Sequence, residues 1–131
     1  MEKLQLIDDQ QCFACGMDNP HGLRIEWKIE GMTMTAHFIP EQKYQGWKGI
    51  LHGGIIATLL DEAMTRLACA TSGGAVTAEM TVRFVKPAAI GSLLLIRGEI
   101  VGEKRNLVMM KASIHCGETL IAYSSGTAIK I

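Results

Sequence analysis

Leu23, Ile25, Trp27 and Ile29 alternate with Arg24, Glu26, Lys28 and Glu30. A period of two over this stretch predicts a half-buried strand from Leu23 to Glu30. Gly31 marks a turn, and Met32, Met34, Ala36 and Phe38 then alternate with Thr33, Thr35 and His37 up to Pro40, which predicts an antiparallel hairpin. Between Glu41 and Leu51 the pattern dissolves around Gly46 and Gly49, as in a loop. A longer period takes over from about Gly53 to Ser72. Ile55, Ile56, Leu59, Leu60, Ala63, Met64 and Leu67 recur at helical spacing without a proline until Gly73 and Gly74, so one long helix is expected here. Alternation then returns, with Val76, Ala78, Met80, Val82 and Phe84 against Thr77, Glu79, Thr81 and Arg83 before Pro87. Further strands are expected over Ser92 to Gly102, Asn106 to Cys116 and Leu120 to Lys130, with Gly117 and Glu118 as the tight link before the last.

A helix of about 19 residues spans roughly 28 Å, and strands of about 8 to 11 residues reach roughly 26 to 36 Å. Helix and sheet therefore match in length, which predicts an α+β domain: one long central helix wrapped by a curved antiparallel sheet of five to six strands. The helix reads as apolar on most sides, and a sheet covers one side. A second copy of the chain is the economical cover for the rest, so a homodimer is expected.

The chain has 131 residues, 48% of them apolar, enough for one core, and neither a repeat nor a linker divides it; residues 1–131 read as a single domain. Thirteen basic and thirteen acidic residues cancel, which argues against nucleic acid or an anionic membrane as a partner. Met1 to Gln10 has no apolar stretch of leader type and no other run reaches membrane-spanning length. The expected setting is cytoplasmic, where four cysteines stay reduced.

Two acids lie inside the helix. Glu62 has Arg66 four residues later, in the favourable acid-before-base order, and an ion pair is expected. Asp61 lacks such a partner; Thr58 and Thr65 flank it at helical spacing, a narrow polar stripe in which a carboxylate can act chemically or simply be solvated. His52, Gly53 and Gly54 stand at the helix start, where backbone N–H groups lack intrahelical partners and the helix dipole favours negative charge. That start is either an oxyanion site or a plain glycine-rich cap.

The run from Gln45 to Met64, QGWKGILHGGIIATLLDEAM, together with the following AEMTVRFVKPAAIG, resembles hotdog-fold acyl-CoA thioesterases of the phenylacetic acid degradation and 4-hydroxybenzoyl-CoA thioesterase superfamily. The resemblance covers nearly the whole chain. It implies a hotdog fold and hydrolysis of an acyl-CoA to free acid and CoA, with the Gly53 N–H on the thioester carbonyl and Asp61 as catalytic carboxylate. It places Thr77 where relatives put a hydroxyl that assists the attacking water. At the helix start His52 is a further catalytic candidate, and Gly54 is expected to face substrate. Some relatives hold the carbonyl with an amide side chain in the loop before the helix; here Gly46 takes that place, with Gln45 beside it. Asp61 would act as general base on water or as nucleophile. Gly53 and Asp61 are separated by roughly 12 Å along one helix, while catalytic contacts are about 3 Å. The site is therefore expected across the dimer interface, with a homotetramer built from two dimers as the alternative assembly.

Arg83 and Lys86 are candidates for the CoA phosphates, with Lys104 and Arg105 behind them; solvated strand ends explain the same charges. Cys12 and Cys15 form a CxxC with His21 nearby. A structural loop is the favoured reading, with zinc ligation completed by His37, His115 or Cys116 as the alternative. No metal and no cofactor are expected, and Cys69 reads as helix packing. The competing functional reading is a non-catalytic acyl-CoA binding or sensing protein on the same fold, against which Asp61 argues. A dehydratase needs an Asp and His pair that the helix lacks.

Overall fold

The computed structural model describes residues 5–131. Residues 1–4, part of the stretch read above as carrying no leader, lie outside them. Eight elements follow in order: strands β1 (Lys28–Glu30) and β2 (Thr33–Phe38), a 3-10 turn (Gln42–Tyr44), helix α1 (Gly53–Ser72), and strands β3 (Ala75–Phe84), β4 (Leu94–Lys104), β5 (Leu107–Cys116) and β6 (Thr119–Lys130). The strands form one six-stranded antiparallel sheet in the order β1-β2-β4-β5-β6-β3. One long helix packed against this curved sheet is the hotdog architecture. No helix among the described residues is long and apolar enough to cross a membrane.

The helix buries a single stripe. Ile56, Leu59, Leu60, Ala63, Met64, Leu67 and Ala68 are each at most 3% exposed, and their spacing of three and four residues keeps them on one face. That face lies on β2 through β6. Helix and sheet approach closely at Gly98 of β4, where an added Cβ would run into the Ala63 carbonyl oxygen; a side chain there would hold helix and sheet apart. Gly73 ends the helix in the left-handed region at φ 87° and donates to the Cys69 carbonyl.

The expected strand from Leu23 to Glu30 is mostly absent: β1 keeps Lys28–Glu30 alone. Leu23 and Ile25 are buried as their alternation implies, but Arg24 between them sits at φ 53°. Their amides bond to the carbonyls of Phe13 and Ala14, so the segment docks on an N-terminal loop and not on the sheet. That loop also meets the helix at Glu62, through Cys12. Part of the cover that periodicity assigns to a second copy thus comes from the same chain.

β3 lies at the edge of the sheet and contains a β-bulge. Thr77 pairs with Ala128 and Glu79 with Thr127, leaving Ala78 as an extra residue. Before the bulge Ala75 and Thr77 face the helix; after it Met80 and Val82 pack against the core. An extra residue shifts the period of two by one. Plain alternation would have grouped Thr77 with the outward Thr81 and Arg83. Gly126 stands opposite, where an added Cβ would lie 2.7 Å from the Glu79 carbonyl oxygen.

Candidate active site

Asp61 is half-buried near the middle of α1, and the bulge in β3 aims Thr77 at it. The Thr77 hydroxyl donates to Asp61 Oδ1 at 2.6 Å. Thr65, one helical turn beyond, lies 3.2 Å from the same oxygen and 2.5 Å from the Thr77 hydroxyl. An ionised carboxylate brings no proton, so two hydroxyl protons serve three contacts. The shorter pair defines a relay in which Thr65 donates to Thr77 and Thr77 to Asp61, with Asp61 Oδ2 left without a partner among the described residues. Thr65 was legible as the i+4 neighbour of Asp61, but its contact with Thr77 was not.

The helix start is arranged by His52. Its extended backbone, at φ −61° and ψ 134°, makes it the N-cap, and its Nδ1 accepts the Gly54 N–H at 2.8 Å. The next amides, of Ile55 and Ile56, bond to the His52 carbonyl. The Gly54 amide, expected to face substrate, is therefore held inside the cap, and the Gly53 N–H is left without an acceptor among the described residues. A donor at the positive end of a helix suits a developing oxyanion.

Two recesses border Gly53. One, about 580 Å³, is lined by Gln45, Gly46, Trp47, Ile50, Leu51 and His52. The other, about 250 Å³, is lined by Phe84, Val85, Lys86 and Pro87. Gln45 turns its Oε1 to the Gly49 amide at 3.1 Å, leaving its amide NH₂ as the end that could donate to a carbonyl. Gly46 packs on His52, where an added Cβ would lie 3.3 Å from His52 Cα. Lys86 reaches the second recess, whereas Arg83 does not line it. Trp47, 84% exposed at the rim, carries no periodic signal and was missed. Asp61 and Thr77 line neither recess.

Glu62 departs from expectation. It forms no ion pair with Arg66; its carboxylate faces Cys12 Sγ at 3.9 Å, and Cys15 lies beside them. Burial, and then the Glu62 carboxylate, push the Cys15 thiol well above the usual thiol range.

The model of the thioesterase superfamily matches residues 48–123, from the loop before α1 into β6. The chain belongs to the thioesterase superfamily. It is 28% identical over 127 residues to the acyl-coenzyme A thioesterase THEM4 of Bos taurus, covering 95% of this chain and 52% of that protein. It thus spans about half the length of the curated relatives it matches. Zebra fish thioesterase superfamily member 2 has a similar fold, with a TM-score of 0.78 at 22% identity over 95% of this chain and 92% of that one. A hypothetical thioesterase from Streptococcus pneumoniae TIGR4, solved with coenzyme A, gives a TM-score of 0.74 at 22% identity, covering 81% and 87% of the two chains.

Proposed function

We propose that this chain hydrolyses acyl-CoA thioesters to a free acid and CoA. The observation that carries the reading is the Asp61 carboxylate, held by Thr77 at 2.6 Å on the same helix that leaves the Gly53 amide open at its start. The thioester oxygen accepts the Gly53 N–H, and charge developing there is stabilised by the helix start. Asp61, oriented through Oδ1, acts on water as general base or on the carbonyl as nucleophile through its open Oδ2. Lys86, at the recess beside Gly53, is the cation best placed for a CoA phosphate.

One chain does not suffice for this chemistry, and a homodimer supplies the rest. The outer edge of β3 has no partner strand among the described residues, and such an edge is a template for another copy. β3 carries Thr77 near one end, at Asp61, and Phe84 at the other, whose ring an added Cβ at Gly53 would meet at 3.5 Å. Antiparallel pairing of two β3 strands about a two-fold axis carries the Thr77 end of one copy to the Phe84 end of the other. Asp61 of one subunit then approaches Gly53 of its partner.

Thiol release from a panel of short, medium, long-chain and aryl acyl-CoAs tests the activity, corrected for the four protein cysteines. Tight acyl-CoA binding with no release from any ester would instead identify a sensor. The shared site is tested by mixing chains carrying Gly53→Pro with chains carrying Asp61→Asn. Random pairing restores one of two sites in half of the dimers, about a quarter of the full activity; no recovery rejects the shared site.

A further inference from the structure

The N-terminal loop and the helix together form a cluster that the thioesterase chemistry does not use. Cys12, Cys15 and Glu62 each offer one ligand atom, and the three atoms lie within 4.8 Å of one another. Cys12 and Cys15 share one loop, and Glu62 lies fifty positions beyond Cys12 in the chain. The loop is shaped for the convergence. The Cys15 amide points at Cys12 Sγ at 3.5 Å, and the Gly16 amide closes the turn on the Cys12 carbonyl at 2.9 Å. An added Cβ at Gly16 would collide with the Cys12 backbone and lie 2.5 Å from the Gln10 carbonyl oxygen, so the turn is too tight for any other residue. Bonds from the Leu23 and Ile25 amides to Phe13 and Ala14, at 2.8 and 2.9 Å, hold the loop in place without help from a ligand.

We propose that Cys12, Cys15 and Glu62 bind one divalent ion of the zinc class, with solvent as the fourth ligand. Bond lengths of about 2.3 Å to sulfur and about 2.1 Å to oxygen place tetrahedral sulfur and oxygen ligands about 3.6 Å apart. Cys12 Sγ and Glu62 Oε1 are already 3.9 Å apart, so a shift of a few tenths of an ångström completes that edge. Two thiolates select a borderline-soft ion over magnesium or calcium. Both thiols lose their protons to solvent on binding, and no electron is transferred. Two thiolates and a carboxylate against a divalent ion leave one negative charge, with Arg66 one turn along the helix. The ion would fasten the N-terminal loop to the helix at the residue next to Asp61.

The full chain, reduced and freed of metal with a chelator, is titrated with Co²⁺. The expected result is one equivalent bound, with a thiolate-to-cobalt charge-transfer band and the visible bands of a tetrahedral site, both displaced by one equivalent of Zn²⁺. Cys12→Ser and Cys15→Ser should each abolish the charge-transfer band. Glu62→Gln, which changes one atom and keeps the size of the side chain, should weaken binding by at least tenfold, and Cys116→Ser should change nothing. Zn²⁺ should raise the unfolding temperature of the parent chain but not that of Cys12→Ser, and Mg²⁺ should raise neither. A reduced protein that shows no thiolate band in excess Co²⁺ overturns the proposal, as does a band that survives both cysteine substitutions or an affinity unchanged by Glu62→Gln.

Discussion

The Thr77 hydroxyl donates to Asp61 Oδ1 at 2.6 Å across sixteen residues of sequence, tying the edge strand to the centre of the helix. A hydrogen bond to a charged group is worth about 1.5 to 3 kcal/mol, and in the proposed mechanism this one would leave Oδ2 as the oxygen that faces substrate. Thr77→Val should lower kcat by roughly 10- to 100-fold, and Thr77→Ser should restore most of it. Asp61→Asn should lower kcat by about 10²- to 10⁴-fold with an unchanged circular dichroism spectrum. Steady-state rates on the best acyl-CoA of the panel decide both; a near-normal Asp61→Asn enzyme would remove the carboxylate from the mechanism.

Gly53→Pro deletes the proposed oxyanion donor with little change to the helix. Proline is favoured at the first helical position, where its missing N–H leaves no intrahelical bond unmade. The preceding His52, at ψ 134°, already has the extended conformation that a following proline requires. The expected loss is about 10²- to 10³-fold in kcat, with an urea midpoint close to that of the parent. Equal losses in rate and stability would make Gly53 a folding position.

His52 reads as the cap of the helix through its Nδ1 contact with Gly54. Removing a side-chain cap typically costs about 0.5 to 2 kcal/mol, so His52→Ala should lower the urea midpoint accordingly. His52→Asn, which returns a short acceptor, should recover it. If activity falls in the asparagine variant while stability is regained, the imidazole has a chemical role beyond the cap.

Gly98→Ala tests the tight helix-to-sheet contact at β4, because its methyl group would meet the Ala63 carbonyl. Overpacking of this kind costs about 1 to 3 kcal/mol. The helix should be pushed from β4, lowering the unfolding temperature and, through Asp61 two residues from Ala63, the rate as well. A fully stable Gly98→Ala protein would mean that the two layers have room to part.

The helix was legible to its last residue because one period runs unbroken from Gly53 to Ser72, and of the five longest strands β2 and β3 announced themselves by alternation. What escaped depended on partners distant in sequence. Leu23 to Trp27 alternates like a strand but docks on the Cys12–Gly16 loop. Glu62 follows the i+4 rule on paper, yet Cys12 approaches it from fifty residues away. Thr77 entered as a candidate through family resemblance alone, since a bulge at Ala78 inverts the face that alternation assigns to it.

That extra residue in β3 acts as a mechanical clutch. On one side of Ala78 the strand presents a hydroxyl to Asp61; on the other it presents Met80 and Val82 to the core and Phe84 to the helix start. The two halves face the helix in opposite phase, so drift in the apolar half need not turn Thr77 away. A strand built this way lets a lineage reshape the packing of Met80 and Val82 against the core while Thr77, a few residues upstream, keeps its aim.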